Sequence, residues 1–106
     1  MKYYKDGSFL QISRSLFTNG YFVELSSGAK ELYLWLKELE HRYSNENGWF
    51  CRTDQQINEE SNISISSIKR YRKELLESGL IVYRQSRWES ETGMKSKERI
   101  SCYKVF

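Results

Sequence analysis

The stretch that decides the fold is residues 64–79, SISSIKRYRKELLESG. Ser64 is placed to cap a helix with its hydroxyl, and Gly79 stands where a left-handed residue would end it. At about 100° per residue, Ile65, Ile68, Leu75 and Leu76 share one arc, with Tyr71 at its margin. Ser66, Arg70, Lys73 and Glu77 fall on the opposite arc, with Ser67 and Lys69 at its flanks. The outward face is therefore short and hydroxylated near its start and cationic beyond. Arg72 breaks this pattern by projecting toward the apolar side. Either it snorkels past the seam to a carboxylate such as Glu31 or Glu38, or it reaches outward from the helix flank.

Upstream, Ser61-Asn62 forms a turn, and Thr53 with Gln56 three residues later has the form of a capping box. A helix is predicted over 53–60, joined by that turn to a helix over 64–78. Further upstream, Ser26-Ser27 opens a helix over 26–43, with Ala29, Leu32, Tyr33, Leu36, Leu39 and Tyr43 on one face. The turn formers Ser44-Asn45-Glu46-Asn47-Gly48 end it, and Trp49-Phe50-Cys51-Arg52 reads as a short strand. Residues 1–25 form a lead-in expected to pack on the core, with FLQI at 9–12 as a candidate strand and Ser15 to Thr18 as a helical turn.

Downstream of Gly79, LIVYRQSRW at 80–88 and ERISCYKVF at 98–106 are rich in β-branched and aromatic residues. The polar run Glu89 to Lys97, which contains Gly93, separates them, so 80–106 is predicted to be a hairpin with a long tip. Three helices, a short strand between the first two, and a hairpin directly after the third give an α+β winged helix-turn-helix in one domain.

That layout and the charge distribution agree on a class of partner. The formal net charge is +3, yet residues 1–62 hold seven Lys/Arg against nine Asp/Glu, while residues 63–106 hold ten against five. A basic surplus confined to one half predicts a polyanion-facing surface. Small residues near the start of helix 64–78 let its backbone approach a major groove, and longer cations reach base edges or phosphates. The candidate contacts on it are Ser64, Ser66, Ser67, Lys69, Arg70 and Lys73. Ser64 serves equally well as a cap alone. The hairpin adds Arg84 and Arg87 on its first strand, with Lys95 and Lys97 in its tip, as candidate backbone contacts. Edge hairpins also carry lysine to block strand-to-strand association, so both readings stand for Lys95 and Lys97. Trp88 is expected to pack beneath the wing, with stacking on a sugar or base as the alternative.

Other classes are disfavoured. A single histidine, His41, lies near a helix end, where it suits the helix dipole better than chemistry. The six glycines form no phosphate-loop pattern, and no Cys/His spacing suggests zinc, so neither an enzyme nor a metal or cofactor is expected. The longest apolar run is far short of a membrane span, and the start MKYYKDGSF lacks the apolar core of a signal peptide. A cytoplasmic location is expected. The isolated Cys51 and Cys102 read as buried free thiols, with a disulfide open only if their two strands pair.

The segments SSGAKELYLWL at 26–36 and SISSIKRYRKELLESGLI at 64–81 resemble the N-terminal winged-helix domains of RepA-type plasmid and phage replication initiators. The resemblance extends to ISRSLF at 12–17 and ISCYKVF at 100–106, covering nearly the whole chain. It implies double-stranded DNA as partner, homodimers on repeated sites near an origin or operator, and contact with other replication proteins. Carried over, it points to Ser66, Ser67, Lys69, Arg70 and Lys73. The chain departs from the pattern at Arg72, where an aliphatic residue is usual, and in having no second domain. It therefore reads as a fragment, or as a small stand-alone relative from a mobile element. A small transcriptional regulator of the same fold and a protein-docking module are the alternatives. In the docking reading, Trp35 and the WFC segment would face a partner.

Overall fold

Capping chemistry sets the helix boundaries. The computed structural model describes residues 10, 12–89 and 95–106, with side chains described outside 86–89 and 95–99. A 3-10 turn over Arg14–Thr18 leads into α1 (Gly20–Val23), α2 (Ser27–Tyr43), β1 (Trp49–Cys51), α3 (Asp54–Ser61), α4 (Ile65–Ser78), β2 (Ile81–Glu89) and β3 (Lys95–Val105). Asn19 accepts from the N–H groups of Tyr21 and Phe22 to start α1, and Ser26 accepts from Ala29 N to start α2. Thr53 and Gln56 form the reciprocal capping box at α3. Asn62 adopts φ 60° and Gly79 φ 77°, so both helices of the α3–α4 pair end in left-handed residues. Each such cap contributes about 1 kcal/mol by satisfying otherwise unpaired backbone groups.

The strands form an antiparallel sheet in the order β1-β3-β2. Phe50 pairs with Tyr103, which pairs with Tyr83, while Cys51 pairs with Cys102, which pairs with Arg84. Because side chains alternate along a strand, Phe50, Tyr83 and Tyr103 share one face, and Trp49, Cys51, Cys102 and Arg84 share the other. The first face meets the helices. Tyr103 stacks on Phe50 at 5.5 Å and lies 5.2 Å from Tyr83, centroid to centroid. Leu32, Leu36 and Leu39 of α2, Ile57 of α3, and Ile68 and Leu75 of α4 close the core over them. Leu16 and Phe22 of the lead-in are buried too, and Phe22 meets Tyr33 edge-on at 5.6 Å.

Several expectations are corrected by these contacts. The lead-in carries a fourth helix, α1, and neither Leu10 nor Ile12 is in a strand; 9 and 11 lie outside the described residues. The hairpin strands are longer than expected, so Lys95 and Lys97 stand within β3 rather than in a tip; residues 90–94 lie outside the description. Leu76 is 38% exposed and Tyr43 48% exposed, so neither joins the core. The buried seam of α4 takes Arg72 instead. Trp35 packs half-buried against the core.

The cysteines are neither buried thiols nor free. The pairing of β1 with β3 sets Cys51 directly opposite Cys102, and they form a disulfide with Cα atoms 4.0 Å apart. Cys51 is exposed and Cys102 half-buried, on the sheet face away from the helices. Among the described residues, no helix is long and apolar enough to cross a membrane.

Candidate nucleic-acid interface

Helix α4 is fixed on three sides, which determines what it presents on the fourth. Toward α2, Tyr71 lies against Gly28, where any added Cβ would overlap its ring. Beside it, the Glu74 carboxylate accepts from Ser26 N at 3.1 Å and from Ser26 Oγ at 2.7 Å. Toward α3 and the sheet, Arg72 is only 8% exposed. Its Nη1 donates to Asp54 Oδ1 at 2.6 Å and to Tyr103 Oη at 2.9 Å, and its guanidinium lies 4.4 Å from the Tyr83 ring centroid.

This arrangement corrects the partner expected for Arg72. Glu31 is exposed, and Glu38 is held by Arg42 Nε at 3.0 Å, both remote from the role anticipated for them. The carboxylate that meets Arg72 is Asp54, the first residue of α3, 18 positions upstream. Burial disfavours the charged guanidinium, but the hydrogen bond to Asp54, the hydrogen bond to Tyr103 and their charges outweigh it, so its pKa is raised. Burial likewise pushes the Tyr103 phenol up to about 12, despite the opposing pull of Arg72. Arg72 is thereby a structural pin and does not lie on the outward face.

The fourth side of α4 carries the candidate contacts. Ser66, Lys69, Arg70 and Lys73 are exposed, and Ser67 is half-buried. Ser64 Oγ accepts from Ser67 N at 3.3 Å and donates to Ser67 Oγ at 2.8 Å, so it is committed to capping. Arg70 Nη2 donates to Tyr71 Oη at 3.2 Å. No side-chain partner is present for Lys69 or Lys73 among the described residues.

The hairpin residues are not all gathered onto that side. Arg84 lies on the sheet face opposite the one that meets Arg72, with its guanidinium 5.1 Å from the Trp49 ring centroid. The backbones of Arg87, Lys95 and Lys97 belong to β2 and β3, and their side chains, like that of Trp88, lie outside the description. His41 is exposed in the last turn of α2.

Two residues that matter to the site escaped the sequence reading. Asp54 was visible only as part of a capping box, and no helical or strand periodicity links it to position 72. Tyr71 reads from sequence as a marginal apolar residue, and its place directly after Arg70 is the one local signal of their contact.

A solved structure described as the N-terminal domain of a DNA-binding protein is similar to this chain with a TM-score of 0.65. The match covers 100% of this chain and 83% of the other at 18% sequence identity. The two share a fold. No family model matches the sequence, and no curated protein matches it.

Proposed function

We propose that this chain is a winged helix-turn-helix module that binds double-stranded DNA, seating α4 in the major groove with the β2–β3 hairpin along the backbone as a wing. The observation that carries the reading is the outward face of α4. It sets Lys69, Arg70 and Lys73 beside exposed Ser66 on a helix pinned by Tyr71, Glu74 and Arg72 on its other sides. Rigid presentation of cations and small hydroxyls suits a groove lined by phosphates and base edges. The α3–α4 pair followed by an antiparallel hairpin is compatible with this docking mode. The structurally similar domain comes from a protein described as DNA-binding, which supports the same reading.

The process served is origin recognition in plasmid or phage replication, on the resemblance of residues 26–36 and 64–81 to RepA-type initiators. A transcriptional regulator would use the same contact at an operator. A second reading, a docking module, is favoured by one observation: Phe17 and Tyr21 are 69% and 67% exposed on the lead-in. Large exposed aromatics are enriched where proteins meet, whether in a homodimer or with another replication protein.

Fluorescence anisotropy with duplex DNA separates the two. The DNA reading predicts that Arg70→Ala and Lys73→Ala each weaken binding by about 1–3 kcal/mol if they contact bases, and by less if they contact phosphate. Replacing Phe17 and Tyr21 together should leave monomeric DNA affinity unchanged. The reverse pattern supports docking.

A further inference from the structure

The three cations on the outward face of α4 are held differently. Lys69 and Lys73 extend without a side-chain partner among the described residues. Arg70 does not extend freely. Its Nη2 donates to Tyr71 Oη at 3.2 Å, and its guanidinium carbon lies 5.0 Å from the Tyr71 ring centroid. Tyr71 is itself immobilised: half-buried, packed on the core, and occupying the space above Gly28 that a Cβ would need. A glycine on α2 thus makes room for a tyrosine on α4, and that tyrosine orients an arginine at the surface.

We propose that Tyr71, seated on Gly28, is a positioning residue that presets the Arg70 guanidinium as the sequence-discriminating contact, while Lys69 and Lys73 supply charge. This rests on the DNA-binding reading above. A guanidinium carries five N–H donors in a planar fork, and Tyr71 engages one of them. The remaining donors match two acceptors in one plane, the arrangement offered by guanine O6 and N7 in the major groove. Fixing the plane before contact reduces the rotamer entropy lost on binding and makes the bond depend on base identity. An untethered lysine neutralises phosphate at any sequence. Tyr71 touches no base in this arrangement and acts only through Arg70.

Two measurements test it. The first needs no DNA: nitrogen NMR relaxation of the Arg70 side chain should show an ordered guanidinium in the wild type and a mobile one in Tyr71→Phe. The second uses duplexes enriched from a random-sequence pool by the wild-type protein, with random duplex as the comparison. Tyr71→Phe should weaken binding to the enriched duplex by about 3- to 10-fold and to random duplex by under about 2-fold. Gly28→Ala, which displaces the ring from a different helix, should do the same, and Arg70→Ala should abolish any further effect of Tyr71→Phe. Should Tyr71→Phe melt early, Arg70→Lys takes its place, since it keeps the charge, loses the planar fork and leaves the α2–α4 contact alone. The same selective loss is expected of it. Equal mobility of Arg70 in wild type and Tyr71→Phe overturns the proposal, as does an equal loss on both duplexes. A wild type that binds no duplex overturns the DNA reading itself, a failure distinguishable from the other two.

Discussion

Arg72 of α4 and Asp54 of α3 meet face to face, Nη1 to Oδ1 at 2.6 Å and Nη2 to Oδ2 at 3.4 Å. This pair fixes the angle between consecutive helices and, through Tyr103, ties both to the sheet. Its side chains are 10% and 18% exposed, too buried for water to replace a lost partner. Asp54→Ala is therefore expected to destabilise the fold by about 3 kcal/mol, because it leaves a desolvated cation. Asp54→Ala combined with Arg72→Leu should recover part of that loss. Urea denaturation of the three variants measures both effects, and a double variant no better than Asp54→Ala would refute the buried-charge account.

Alkaline stability should be governed in part by Tyr103. With its pKa pushed up to about 12, chiefly by burial, the phenol stays neutral in the folded protein after an unfolded tyrosine has ionised. Its contribution is fully present below about pH 10, the unfolded value, and disappears as pH rises to about 12. The loss over that window is about 2–3 kcal/mol. Tyr103→Phe should flatten this decline, though not abolish it, since burial and Glu40 raise Tyr33 as well. At neutral pH the same variant should lower stability by about 1–2 kcal/mol, because Arg72 Nη1 loses an acceptor.

The local grammar of this chain was legible and its long-range chemistry was not. Ser26, Thr53 with Gln56, Ser64 and Gly79 act within a few residues of themselves, so the boundaries of α2, α3 and α4 follow from local signals, whereas the four-residue α1 behind Asn19 is too short to show a periodicity. The outward positions of Ser66, Lys69, Arg70 and Lys73 followed from one helical projection. The partner of Arg72 did not, because Asp54 reaches it only after α3 and α4 pack. Leu76 falls within the apolar arc of the projection but stands at its edge, where it is 38% exposed. The Cys51–Cys102 bond depends on the register of a three-residue edge strand against a partner 51 residues away, which no short-range pattern encodes.

That bond gives a third expectation. β1 is short, and the disulfide fastens it to β3 immediately before Arg52, which bonds Glu60 of α3, and before the α3 cap. Closing a loop of 51 residues restricts the unfolded chain enough to stabilise the fold by about 2–4 kcal/mol. A reducing agent should lower the urea midpoint of the wild type accordingly. The double variant Cys51→Ser, Cys102→Ser should start at the lower midpoint and ignore the reductant.

The central claim, that the outward face of α4 binds duplex DNA through its cations, is tested most directly by the salt dependence of binding to a random duplex. If Lys69, Arg70 and Lys73 each displace a counterion, a plot of log affinity against log salt has a slope of about −3, steeper if the hairpin also engages. Replacing Lys73 with alanine should make that slope shallower by about 1. Absence of binding at low salt, or binding whose affinity does not fall as salt rises, would contradict the account.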